Sequence, residues 1–210
     1  MFITFEGIDF SGKTTQATLL VERLKQLGKD VVFLREPGGT AVSEKIRAIL
    51  LDRNHLDIST IAEILLFSAA RAQLVQEVIL PSLRAGKIVV CDRFYDSTTA
   101  YQGYGRGLTL NDVCRLNSIA TSDTTPEMTV LVDVEIDEVS RRLRTRNDAA
   151  DRMESSGRDF YERVITGYRQ LAKAEPHRIA VVDGMRSVEV IQEEIWRIIQ
   201  QTFFIARRGS

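Results

Sequence analysis

Two cysteines and two histidines are all that this 210-residue sequence offers to a disulfide framework or a soft-metal centre. Cys91 and Cys114 lie far from any metal-ligand spacing, and both read as buried, inert thiols. His55 and His177 fall outside every motif and read as solvated surface residues without a chemical role. Charge of one sign is also lacking: 28 Lys and Arg balance 29 Asp and Glu, which argues against a general nucleic-acid coat but not against a small anion held by a few arginines. No apolar run approaches the ~20 residues that span a bilayer. Met1 to Phe5 run straight into a motif and leave no room for a signal peptide, so the expectation is a cytoplasmic protein with no membrane partner. Internal repeats and low-complexity tracts are absent as well.

What is present is an alternation of strands and helices. Phe2 to Phe5, Val31 to Leu34, Ile88 to Cys91, Thr129 to Val134 and Ile179 to Val182 are short β-rich runs of continuous apolar character, as strands covered on both faces require. Helical spacing links Ala17, Leu20, Val21, Leu24 and Leu27, and again Val188, Ile191, Ile195, Ile198 and Ile199. Ile61 to Leu83 is the longest helical candidate. The order predicts an α/β three-layer sandwich, a five-stranded parallel sheet with helices on both faces and ligands at the carboxyl ends of the strands. One domain is expected over residues 1–204, with 205–210 as a tail. The stretch 141–158, rich in arginine and poor in apolar anchors, reads as a mobile lid, or else as a solvated charge run.

Between the first strand and the first helix stands Gly7-Ile8-Asp9-Phe10-Ser11-Gly12-Lys13-Thr14-Thr15, a phosphate-binding loop in the required context. Its backbone N–H groups and the helix N-terminus suit phosphate oxygens, Lys13 suits the β- and γ-phosphates of ATP, and the Thr14 hydroxyl suits Mg²⁺. A bulky Phe10 is expected to avoid positive φ. Asp92, delivered by the third strand to the same sheet edge, suits Mg²⁺ and its waters. Arg93 directly after it could grip a second phosphate bidentately, which a kinase for a phosphorylated acceptor needs and a hydrolase does not. Phe67 and Arg71, four residues apart, share a helix face where a base could stack on the ring and bond to the guanidinium. Equally, Phe67 could pack in the core with Arg71 at its rim.

With those pieces assembled, the sequence resembles the thymidylate kinase family, bacterial type, over nearly its whole length. The phosphate loop with Asp9 inside it, Arg35-Glu36-Pro37-Gly38-Gly39-Thr40, Asp92-Arg93-Phe94 and Ala100-Tyr101-Gln102-Gly103 carry the resemblance. It implies transfer of phosphate from ATP to dTMP, a step toward dTTP, by a homodimer. It also implies that Phe67 stacks on thymine, Arg71 bonds its carbonyl oxygen, Arg93 binds the dTMP phosphate, Asp9 bonds the 3′-hydroxyl and Tyr101 crowds the 2′ position. Glu36, Pro37, Ser97, Thr98 and Gln102 fall in or beside the acceptor pocket on the same comparison. Phe10 departs from the pattern, since that position is usually Gly, or Arg where the loop supplies a catalytic arginine. The lid is then expected to supply one, Arg146 or Arg152 before Arg144, with Asp151 and Glu154 near the acceptor. Asp183 and Gly184 are a guess for the adenine site.

These residues suit direct in-line transfer, with no side-chain nucleophile and catalysis by positioning and charge stabilisation. Two other readings stay open: a related kinase acting on dUMP, dCMP, UMP or a deoxynucleoside, and a nucleotide-binding regulator that hydrolyses ATP slowly. Lys13→Ala should cost about 3 kcal/mol or more of transition-state stabilisation. Steady-state turnover of the variant checks this, and a near-normal rate would remove the loop from the chemistry.

Overall fold

The computed structural model describes residues 1–55, 57–144, 152–153 and 156–205, less the side chains of residues 140, 143, 144, 204 and 205. Arg146, Asp151, Glu154, the Arg144 side chain and residues 206–210 therefore lie outside the described residues. Five strands, β1 (Phe2–Glu6), β2 (Val31–Arg35), β3 (Ile88–Asp92), β4 (Met128–Asp133) and β5 (Ile179–Asp183), form one parallel sheet in the order β2-β3-β1-β4-β5. Around it lie α1 (Lys13–Gln26), α2 (Ala41–Leu51), α3 (Thr60–Leu74), α4 (Leu80–Arg84), α5 (Tyr95–Thr98), α6 (Leu110–Thr121), α7 (Ile136–Arg144), α8 (Arg158–Ala174) and α9 (Val188–Ile199).

The continuous apolar runs have the expected cause. Successive residues of a strand face opposite ways. Ile3 and Phe5 of β1 and Val90 of β3 pack with Leu20, Leu24, Ile191 and Ile195 of α1 and α9. Phe2, Val89 and Cys91 pack on the other side with Leu74, Val75 and Ile79. Both sets are buried, so neither face of the sheet can be polar. On β1 the second face changes character along the strand, from Phe2 through Thr4 to Glu6, all fully or almost fully buried. Thr4 meets Thr129 across the strands at 2.7 Å, and Thr129 bonds to the buried Asp96–Arg178 pair.

Several expectations need correction. Leu27 stands 54% exposed at the C-terminal cap of α1, one turn past the last residue the sheet can cover. Cys114 lies on the exposed face of α6, so only Cys91 is buried. The longest helical stretch runs as α3, a wide π-type segment Val75–Ile79 and then α4. This Thr60–Arg84 run is long and apolar enough to cross a membrane by length and composition, with an 18-residue window of mean hydropathy 1.3, contrary to the sequence reading. Yet it packs on α2 and α6 and holds Glu63 and Arg71 in buried ion pairs, as a core helix does. The expected lid also resolves differently at its ends. Arg141 and Arg142 belong to α7, while Arg152 is 6% exposed and ion-paired.

Candidate active site

The chain leaves β1 through Gly7, where an added Cβ would stand 2.6 Å from the Val132 carbonyl oxygen, so only glycine lets the loop pass that close to β4. It enters α1 at Gly12, whose φ of 94° turns the loop's N–H groups toward the helix axis. Phe10 has φ 62°, against the expectation that a bulky residue would avoid this region. Left-handed backbone costs an L-residue roughly 1–2 kcal/mol. Here the half-buried ring packs against the cluster of Ile8, Leu131 and Val139, and Arg142 donates to the Phe10 and Ser11 carbonyls at 2.9 and 3.0 Å. Tertiary contacts thus hold a conformation that local propensity disfavours.

Carboxyl ends of β1, β2 and β3, together with α3 and the helix after β3, surround a cavity. Of the expected residues, Asp9, Lys13, Thr14, Glu36, Pro37 and Phe67 line it, as do Arg71, Asp92, Arg93, Ser97, Thr98, Tyr101 and Gln102. Ile8 and Ser11 are buried in the loop, and Thr15 is exposed on the first turn of α1. Arg93 sits at a strained φ of 71° immediately after β3, with its N–H tied to the Phe5 carbonyl at 2.9 Å. Its Nη2 meets Asp9 Oδ1 at 2.6 Å and the Tyr101 hydroxyl at 3.1 Å. Its Nη1 meets the Gly7 carbonyl at 3.0 Å, Ser97 Oγ at 3.1 Å and the Tyr168 hydroxyl at 3.3 Å. Tyr101 and Tyr161 both donate to Asp9 Oδ2, at 2.9 and 3.1 Å. Burial would raise the Asp9 carboxyl, but Arg93 and Lys13 beside it hold it well below the usual carboxylate range. Lys13 is lowered by burial and by Arg93, against Asp9, Asp92 and Glu6.

Phe67 is half-buried with its ring on the cavity, and Arg71 is 2% exposed, the reverse of the core-and-rim alternative. Arg71 donates to Glu36 Oε2 at 2.7 Å, Thr98 Oγ1 at 2.9 Å and the Phe94 carbonyl at 3.1 Å, which uses three of a guanidinium's five N–H groups. Burial pushes the Glu36 carboxyl up, and Arg71 opposes it. Thr14 Oγ1 donates to Asp92 Oδ2, and Asp92 Oδ1 is buried without a partner among the described residues. No group of three His, Cys, Asp or Glu gathers there among the described residues. That donor set fits a hard cation that keeps its waters and takes further oxygens from phosphates, the habit of Mg²⁺.

A search with one model per protein family matches the thymidylate kinase model to residues 5–195. The chain belongs to the thymidylate kinase family. It is 49% identical over 195 residues to the thymidylate kinase of Kosmotoga olearia, covering 93% of each chain, and 48% identical to that of Chlorobium luteolum, covering 97% of this chain and 98% of the relative. The crystal structure of thymidylate kinase from Ehrlichia chaffeensis superposes with a TM-score of 0.78 at 38% identity, covering 95% of this chain and 98% of that one.

Sequence reasoning gave no separate role to Arg142, Glu63 or Arg106, which bond to the phosphate loop or to one another and the cavity lining. Arg142 on α7 ties the phosphate loop to the Gly184 carbonyl at 2.8 Å, next to the exposed Met185, and so joins the loop to the Asp183–Gly184 turn. Glu63, 1% exposed, accepts from Gln102, Arg106 and, at 2.6 Å, Arg152. Burial would raise its carboxyl, and these donors together lower it. The available signal was a lone carboxylate in the apolar run Thr60 to Leu74. Arg152 also donates to the Leu50 carbonyl at 2.7 Å, so in this structure its guanidinium is held beside α2 and α3. Glu63→Ala leaves two arginines without their shared counter-ion and should lower stability by about 3–5 kcal/mol. The urea midpoint measures this, and a loss below ~1 kcal/mol would show the pair to be unimportant to the fold.

Proposed function

We propose that this protein converts ATP and dTMP to ADP and dTDP by direct in-line phosphoryl transfer. One observation carries the reading: Arg93 projects into the same cavity as the Phe67 ring and the Arg71 guanidinium, one peptide beyond Asp92 and within hydrogen-bond reach of the phosphate loop. A donor phosphate chain on the loop and an acceptor phosphate on Arg93 are then neighbours. The thymine ring stacks on Phe67 with its carbonyl oxygen toward Arg71, and Thr98, Gln102, Glu36 and Pro37 close the pocket around it. Tyr101 and Asp9 occupy the sugar side. An oxygen of the dTMP phosphate, already anionic, attacks the γ-phosphorus as the bond from the γ-phosphorus to the bridging β-oxygen breaks. No general base is needed, because the nucleophile carries no proton that must leave.

Lys13 and Arg93 cancel repulsion between two polyanions and stabilise the charge spread over the transferring group. Thr14 and Asp92 would hold Mg²⁺, which would supply positive charge to neutralise the donor's phosphates. The lid 141–158 supplies a further arginine, Arg146 or Arg152, and excludes water; Arg152 would have to leave Glu63 to do so. Adenine lies near Asp183 and Gly184. The catalytic unit is a single nucleoside monophosphate kinase domain over residues 1–204, cytoplasmic and without nucleic-acid or membrane partners. It acts as a homodimer, a reading supported by the exposed stripe Ile61, Leu65 and Ala69 on α3.

Acceptor-dependent ADP formation with dTMP, dUMP, dCMP, AMP and thymidine tests the reading. Strong dTMP dependence with dTDP as product is expected, and acceptor-independent hydrolysis would overturn it. Arg93→Ala should reduce kcat/KM for dTMP by about 10- to 100-fold, as loss of a charged hydrogen-bonding partner does. An unchanged KM and rate for dTMP would withdraw Arg93 from the acceptor.

A further inference from the structure

Glu6 is the one charged residue of β1, and the phosphate-loop motif begins only after it. It is fully buried, and its carboxylate is saturated by four donors. Oε1 accepts from Phe94 N at 2.7 Å and Ser97 N at 3.3 Å; Oε2 accepts from Ser97 Oγ at 2.6 Å and the Tyr168 hydroxyl at 2.8 Å. The same two hydroxyl oxygens are acceptors for Arg93 Nη1. Building on Arg93 as the acceptor-phosphate arginine, we propose that Glu6 is a positioning residue whose ionised carboxylate orients Ser97 and Tyr168 so that both offer lone pairs to Arg93.

Each hydroxyl has one proton. Ser97 Oγ and the Tyr168 hydroxyl also lie 2.8 Å apart, so one of the two protons can serve that contact while an ionised Glu6 accepts the other; whether it takes one or both, only lone pairs face the guanidinium. A protonated Glu6 brings a third proton to Oε2 and these two oxygens, so its donation to one of them competes with the Arg93 N–H for a lone pair, and the negative charge that attracts Arg93 is lost. Glu6 also grips Phe94 N, the first amide after the left-handed turn at Arg93, and so steadies the backbone that aims the guanidinium.

Charged and titratable groups converge on Glu6 from every side. Asp96 on α5, itself paired with Arg178, the Cys91 thiol on β3, Lys13 on α1, Tyr168 on α8 and Arg93 all interact with it. Burial first and Asp96 second push its carboxyl up to about 7, and Arg93 opposes them. The folded-state value is raised, so the ionised, Arg93-holding form is lost as pH falls through about 7. Acceptor use should therefore rise with pH through that region.

Glu6→Gln preserves shape but replaces an acceptor with a donor. With Mg²⁺ and ATP, its KM for dTMP should rise about tenfold or more, while KM for ATP stays within about twofold. In the wild-type protein, kcat/KM for dTMP should show an acid limb near pH 7 beyond that of the dTMP phosphate, whose second pKa is about 6. In Glu6→Gln only the substrate's limb should remain. Tyr168→Phe, which keeps the ring in the core, should raise KM for dTMP about threefold, and adding it to Glu6→Gln should change little further. Equal rises in both KM values, or an unchanged pH profile in Glu6→Gln, would overturn the proposal. If Arg93→Ala impairs dTMP use while Glu6→Gln and Tyr168→Phe do not, this inference alone fails. If Arg93→Ala leaves dTMP use intact, the acceptor reading fails with it.

Discussion

A single guanidinium joins three parts of the site. Arg93 touches the phosphate loop at Gly7 and Asp9, the helix after β3 at Ser97 and Tyr101, and α8 at Tyr168. Its backbone is in the left-handed region, a cost of about 1–2 kcal/mol that persists only where surrounding bonds over-determine the turn. Those bonds come from β1: the Phe5 carbonyl takes the Arg93 N–H, and Glu6 takes the next one. The strain and its compensation lie on adjacent strands, so the arginine is placed by the sheet rather than by its own loop.

Sheet order explains why these groups meet. In the order β2-β3-β1-β4-β5, β1 lies between β3 and β4, and its register pairs Phe5 with Asp92. Chain leaving the two adjacent strand ends therefore delivers the phosphate loop and the Asp92–Arg93 pair to one crevice. The wide-turn segment Thr99–Gly105 continues α5 and turns Tyr101 and Gln102 to the cavity, a distortion of the kind often found at functional sites.

Buried charge elsewhere serves geometry more than stability. Isolated buried ion pairs seldom gain more than their desolvation costs. The Asp96–Arg178 pair nevertheless fixes α5 to the residue that enters β5, and Glu63 gathers Gln102 and Arg106 from one stretch of chain and Arg152 from another. The Glu63 cluster holds Gln102, one of the residues that line the cavity.

The sequence by itself determined the layers, the strand positions to within a residue, and the meeting of the phosphate loop with Asp92 and Arg93 at one edge of the sheet. These are properties of local pattern: alternate side chains of a doubly covered strand must both be apolar, and glycine with lysine at fixed spacing has few uses other than phosphate. Phe10 at φ 62°, Arg71 buried rather than at a rim, Glu63 and Arg152 in contact across 89 positions, and Glu6 beneath Arg93 were decided only by tertiary structure. A lone charge in an apolar run has no meaning until its partners are known. Those partners arrive from distant strands and helices, because burying a charge without them would cost more than the fold gains.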